Sequence, residues 1–88
     1  MPVRLDPLAE ADLDRVSRPD FARVRHALAA LGTAAAGLDV APLEGHAPWQ
    51  VLVVEGHWIV FRTLPEGDQY VARIVTRRQL ARIVEDLR

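Results

Sequence analysis

Four arginines, Arg73, Arg77, Arg78 and Arg82, fall within ten residues that contain no acid. Guanidinium groups at that density either hold anions, each offering a planar fork of donors matched to phosphate or carboxylate, or stand solvated on a helix face. Arg77 and Arg78 fall in the first turn of an expected helix, where the helix dipole disfavours cations. The cost is small, about 0.3 kcal/mol each, but its sign points to an anionic partner. Just upstream lie Arg62 and His57, the latter carrying the one side-chain type whose ordinary pKa suits proton transfer near neutrality. Trp49 and Trp58 offer faces on which a base or a partner side chain can stack. Rings in such apolar surroundings more commonly serve as core or interface.

Other chemistries are poorly served. Ser17 is the sole serine and stands before Arg18-Pro19, a position for a cap or turn rather than a nucleophile. His26, His46 and His57 show no helical pairing for joint metal ligation, and two of them lie in or beside turns. There is no cysteine, hence no disulfide framework and no thiolate site. No glycine-rich phosphate loop is present. No metal and no other cofactor is expected.

These residues need a scaffold, and 88 residues predict one domain, residues 1–88. The chain is 50% hydrophobic and 26% charged, a globular balance. All eleven basic residues are arginine, and twelve acids bring the formal net charge to −1. No overall basic field advertises nucleic acid. The longest apolar run, Val51 to Val54, is far too short for a membrane span, and "MPVRLDPLAE" lacks the blocks of a signal peptide. A cytoplasmic protein without a membrane partner is expected.

Along the chain, "VRLD" predicts a short strand. "DPLAEADLDRV" predicts a helix capped by Asp6, with Pro7 in its first turn and Leu8, Leu13 and Val16 along an apolar stripe. After "SRPD", the spacing of Phe21, Val24, Leu28 and Leu31 predicts a second helix ending at Gly32, so the two form a helical hairpin. Residues 33–48, with two glycines and two prolines, predict a loop that can begin as a prolonged helix end. "WQVLVV" and "HWIVFRTL" predict two strands joined at Glu55-Gly56, apolar on both faces and therefore central in the sheet. "QYVARIV" follows the turn "PEGD" as a third strand of a meander. In "TRRQLARIVEDLR", Thr76 and Gln79 have capping-box spacing, and Leu80, Ile83, Val84 and Leu87 share one helix face. The expected class is α+β, with a helical hairpin and a C-terminal helix packed on a small antiparallel sheet.

This order resembles the RelE/ParE superfamily, the toxins of type II toxin–antitoxin pairs. The resemblance runs nearly the whole length: a first strand into "DPLAEADLDRV", a second helix, "PLEG" before the hairpin, then "EGHWIVFR" and "YVARIVTRR". It implies a RelE-like fold that inhibits growth by cutting mRNA on the ribosome or by poisoning DNA gyrase. It also implies a cognate antitoxin as partner, with assembly into oligomers alone or with that antitoxin left open.

Ribosome-dependent cleavage needs a group to activate the 2′-hydroxyl, cations against the phosphate, and a proton for the leaving oxygen. For these roles the sequence offers Arg62, Arg73 and Arg77 as the cations and His57 as the acid or base; the structural alternative is that His57 is a hairpin residue beside the turn and the arginines lie along strands and a helix face. Arg78, Arg82, Trp49 and Trp58 are then candidates for holding the antitoxin or an anion. The chain departs from RNA-cutting members where basic residues line the middle strands. Gln50, Leu52 and Ile59 stand near those places, and Ala81 stands near a late Tyr or His. An interaction module that keeps the fold without the catalysis is the alternative.

Overall fold

The computed structural model describes residues 2–33 and 37–87. Its elements run β1 (Val3–Leu5), α1 (Pro7–Asp14), α2 (Arg18–Gly32), β2 (Val40–Pro42), β3 (Gln50–Val54), β4 (His57–Thr63), β5 (Gln69–Val75) and α3 (Arg77–Ile83), which ends in a 3-10 turn over Val84–Asp86. The five strands form one sheet in the order β1-β5-β4-β3-β2. The class is α+β, but the sheet is mixed rather than antiparallel as expected, because β1 pairs parallel with β5. Two helices and three strands separate β1 from β5 in sequence, and so long a crossover leaves β1 free to run alongside β5.

Local sequence accounts for most element ends. Asp6 caps α1 by accepting from the Leu8 N–H at 2.9 Å, and Pro7 occupies the first turn, where a missing N–H costs nothing. At α3 the box is reciprocal: Gln79 N–H donates to Thr76 Oγ1 at 3.4 Å, and Thr76 N–H donates to Gln79 Oε1 at 3.0 Å. The β3–β4 turn is two residues long, with Val54 opposite His57 and Gly56 at φ +79°. That left-handed backbone is why glycine stands there.

The sheet is covered on both sides, which explains a hairpin apolar on both faces. On one side α1 and α2 pack against β1, β3 and β5, with Val24, Leu28 and Leu31 set against Leu52, Ile59, Phe61 and Val71. On the other, Leu80 and Ile83 of α3 lie over Trp49, Val51, Val60 and Val75, with Val84 and Leu87 beside them. Ile59 and Val60 of β4 are both fully buried, one toward each layer, and burial of each stabilises by about 1.5–3 kcal/mol.

Three expectations are corrected. The segment 33–48, read as a loop that can begin as a prolonged helix end, contains β2, an edge strand of three residues paired to β3. Its Pro42 hides it in the sequence, since proline is tolerated at an edge but argues against a strand. Leu8 is not on the buried stripe with Leu13 and Val16 but is 58% exposed. Val84–Asp86 tightens to 3-10 geometry where α-helix was expected. The alanines at 34–36, read as a prolonged helix end, lie outside the described residues. Among the described residues, no helix is long and apolar enough to cross a membrane.

Candidate functional site

A break in β5 sets up the site. Val60 stands opposite Arg73 and Phe61 opposite Val71, so Ala72 is an extra residue, a bulge. Tyr70 and Arg73 are three residues apart and would face opposite ways on a regular strand. With the bulge between them, both line one cavity of about 530 Å³ on the α3 side of the sheet. Arg62 from the end of β4, Trp49 from just before β3, and Ile83 and Leu87 at the end of α3 line it too.

Two acids from the α1 segment restrain residues of this site, and one of them, Asp6, lines the cavity. β1 pairs with β5 only as far as Val71, leaving the rest of that edge open. The α1 segment completes it: Asp6 N–H donates to Val71 O at 2.9 Å, and Ile74 N–H donates to Asp12 Oδ2 at 3.0 Å. Arg73 grips the same carboxylate, Nε donating to Oδ2 at 2.7 Å and a terminal nitrogen to Oδ1 at 3.1 Å. A two-point, charge-assisted contact of this kind fixes the guanidinium in orientation as well as position. The Asp12 hydrogen bond is also the main reason that the Arg73 pKa is raised. Asp6 does the same for Tyr70, whose phenol donates to its Oδ2. That hydrogen bond lowers the Asp6 pKa, with the Leu8 N–H second, and raises that of Tyr70.

Arg62 is held differently. Its guanidinium carbon stands 5.7 Å from the Trp49 ring centroid, and Trp49 in turn stacks obliquely on Tyr70, with centroids 6.4 Å apart. Its Nε is buried and finds no acceptor among the described residues. Arg4, at the cavity rim, pairs with Asp68 at 2.8 Å. Of the three arginines lining the cavity, Arg62 alone lacks a carboxylate partner among the described residues.

The remaining candidates lie elsewhere. His57 opens β4, five residues and about 17 Å of extended strand from Arg62. It borders a smaller cavity of about 180 Å³ with Asp12, Thr76 and Gln79, and its buried Nδ1 has no partner among the described residues. Arg77, Arg78 and Arg82 are exposed on α3, and among the described residues their side chains form no ion pair. Trp58 is half-buried against the α3 layer. The fold therefore gathers Arg62, Arg73 and Trp49 at one cavity and leaves His57, Arg77, Arg78, Arg82 and Trp58 outside it. Asp6, Asp12 and Tyr70 were not singled out from the sequence as site residues. The partners of the two acids lie more than sixty positions away, and only strand order brings them together. No group of three or more His, Cys, Asp or Glu side chains among the described residues is placed to hold a metal ion.

No protein-family model and no curated protein matches this sequence. Among solved structures it is similar to a chain in the crystal structure of the RelB–RelE antitoxin–toxin complex from Methanococcus jannaschii. The superposition has a TM-score of 0.75 and covers 90% of this chain and 95% of that one, at 13% sequence identity. The protein therefore has the fold of a component of a RelB–RelE antitoxin–toxin complex.

Proposed function

We propose that this protein is the toxin subunit of a type II toxin–antitoxin pair of the RelE/ParE superfamily. It is one domain in which α1 and α2 act as the helical hairpin of a RelE-like fold, and its partner is a cytoplasmic antitoxin. The observation that carries the reading is the cavity under α3, where Arg62, Arg73, Tyr70 and Trp49 converge on a fold shared with a toxin–antitoxin component. The free arginines of α3, Arg77, Arg78 and Arg82, extend a cationic surface for target or antitoxin.

The two proposed targets make different demands. Cutting mRNA needs a proton-transfer group beside the cations, and His57 stands at the far end of β4 from Arg62. Inhibition of DNA gyrase needs only a binding surface, which favours it over cleavage. The engagement of Arg73 by Asp12 and of Tyr70 by Asp6 supports a second reading, an interaction module that retains antitoxin binding without toxicity.

Growth after controlled production of the chain alone separates the readings. The toxin reading expects arrest, relieved by co-production of the antitoxin and by Arg62→Ala or Arg77→Ala in variants that remain folded by circular dichroism. Unimpeded growth with the soluble parent protein leaves the interaction module.

A further inference from the structure

The cations around the cavity are nearly all spoken for. Arg73 is matched by Asp12 and Arg4 by Asp68, while Tyr70 is tied to the anionic Asp6. Asp86 adds a further negative charge to the lining. The unmatched charges of the lining, among the described residues, are the carboxylates of Asp6 and Asp86 and one cation, Arg62, half-buried and laid over the Trp49 ring with a buried Nε that finds no acceptor among them. The terminal nitrogens of that guanidinium are donors to which an incoming anion can make a charge-assisted, two-point contact.

The rest of the wall selects the kind of anion. Leu8, 58% exposed, and Leu87, half-buried, supply apolar surface, and the buried Trp49 and Ile83 complete the lining. A nucleic-acid backbone carries a charge at every phosphate and is held by several cations together. Here the second and third arginines are neutralised and the carboxylates of Asp6 and Asp86 are among the lining, which disfavours a polyanion. A cavity of about 530 Å³ with one cation and an apolar, aromatic wall matches a different ligand.

We propose that this cavity binds a single carboxylate carried on an aromatic or aliphatic body, with Arg62 receiving the carboxylate and Leu8 and Leu87 the body. The chemistry has two sources, a free small organic acid or a glutamate or aspartate between apolar residues of a peptide segment. The proposal stands whether or not the protein is a toxin.

The test is calorimetric titration of the full chain with phenylacetate, with its neutral amide phenylacetamide, with a capped Leu-Glu-Phe tripeptide and with inorganic phosphate. Saturable one-site binding of phenylacetate or the tripeptide is expected, weakened at least tenfold in Arg62→Met and unchanged in Arg18→Met, at an exposed position outside the cavity. Phenylacetamide and phosphate are expected to bind at least tenfold more weakly. Binding of phenylacetate assigns a small acid, and binding of the tripeptide alone assigns a peptide segment. Should Arg62→Met fail to fold, the parent protein still decides through its indole N–H resonances, assigned with Trp58→Phe. Trp49 should shift with the acid and not with the amide. The proposal is overturned by no binding of either carboxylate, by equal binding of the amide or of phosphate, or by undiminished binding in a folded Arg62→Met variant.

Discussion

Replacing Asp12 by alanine should damage the fold far more than its place near the end of a short surface helix suggests. Its side chain is 7% exposed and that of Arg73 25% exposed, and one carboxylate serves both Arg73 and the buried Ile74 N–H. Orphaning that N–H costs about 1–3 kcal/mol. Breaking a fully buried ion pair costs about 3–5 kcal/mol. Arg73 keeps partial access to water, so its share is nearer about 1–2 kcal/mol. Together these give about 3 kcal/mol for Asp12→Ala, against a total stability for such a domain of about 4–13 kcal/mol. Asp12→Asn retains an acceptor for Ile74 and should lose about half as much. Urea unfolding followed by circular dichroism measures both, and heating should show Asp12→Ala melting about 12–24 °C lower. A double-mutant cycle with Arg73→Met isolates the pair, with an expected coupling above about 1 kcal/mol. A loss below about 1 kcal/mol for Asp12→Ala, or additive effects in the cycle, refutes the role given to this carboxylate.

Three further outcomes follow from the geometry. Tyr70 is the sole tyrosine, so absorbance at 295 nm reports it alone; its midpoint should lie above that of free tyrosine and fall toward it in Asp6→Asn. Because the folded-state pKa of Tyr70 is raised, its contribution to stability is present below about pH 10 and lost as pH rises through the folded value. The lowered Asp6 pKa works oppositely: its contribution is present above about pH 4 and lost as pH falls through the folded value, so Asp6→Asn should flatten the acid limb of stability against pH. Gly56→Ala meets open space but must adopt φ +79°, so chemical denaturation should show a loss of about 1–2 kcal/mol.

Signals carried by neighbours in sequence were legible. Asp6-Pro7, Thr76 with Gln79, and Glu55-Gly56 each marked an element end, because caps and tight turns are made by residues within four positions of one another. The apolar hairpin was placed at the centre of the sheet, and both its faces are covered. The parallel pairing of β1 was not legible, since nothing in three residues distinguishes a parallel edge from an antiparallel one. The site was legible only in part. Arg62 and Arg73 stood out as cations, but the bulge at Ala72, which turns Arg73 onto the face of Tyr70, has no sequence signature here. Nor can spacing reveal that Asp6 and Asp12 cross from the α1 segment to restrain the two residues, which changes a cationic cleft into a nearly balanced one.

The most direct test of the toxin assignment is to produce the chain alone from a tightly controlled promoter and follow labelled amino acids and labelled thymidine in the same cells. The account predicts that one of the two incorporations falls early and before viability, thymidine if gyrase is the target and amino acids if translation is. Steady incorporation of both, with soluble protein present, contradicts it.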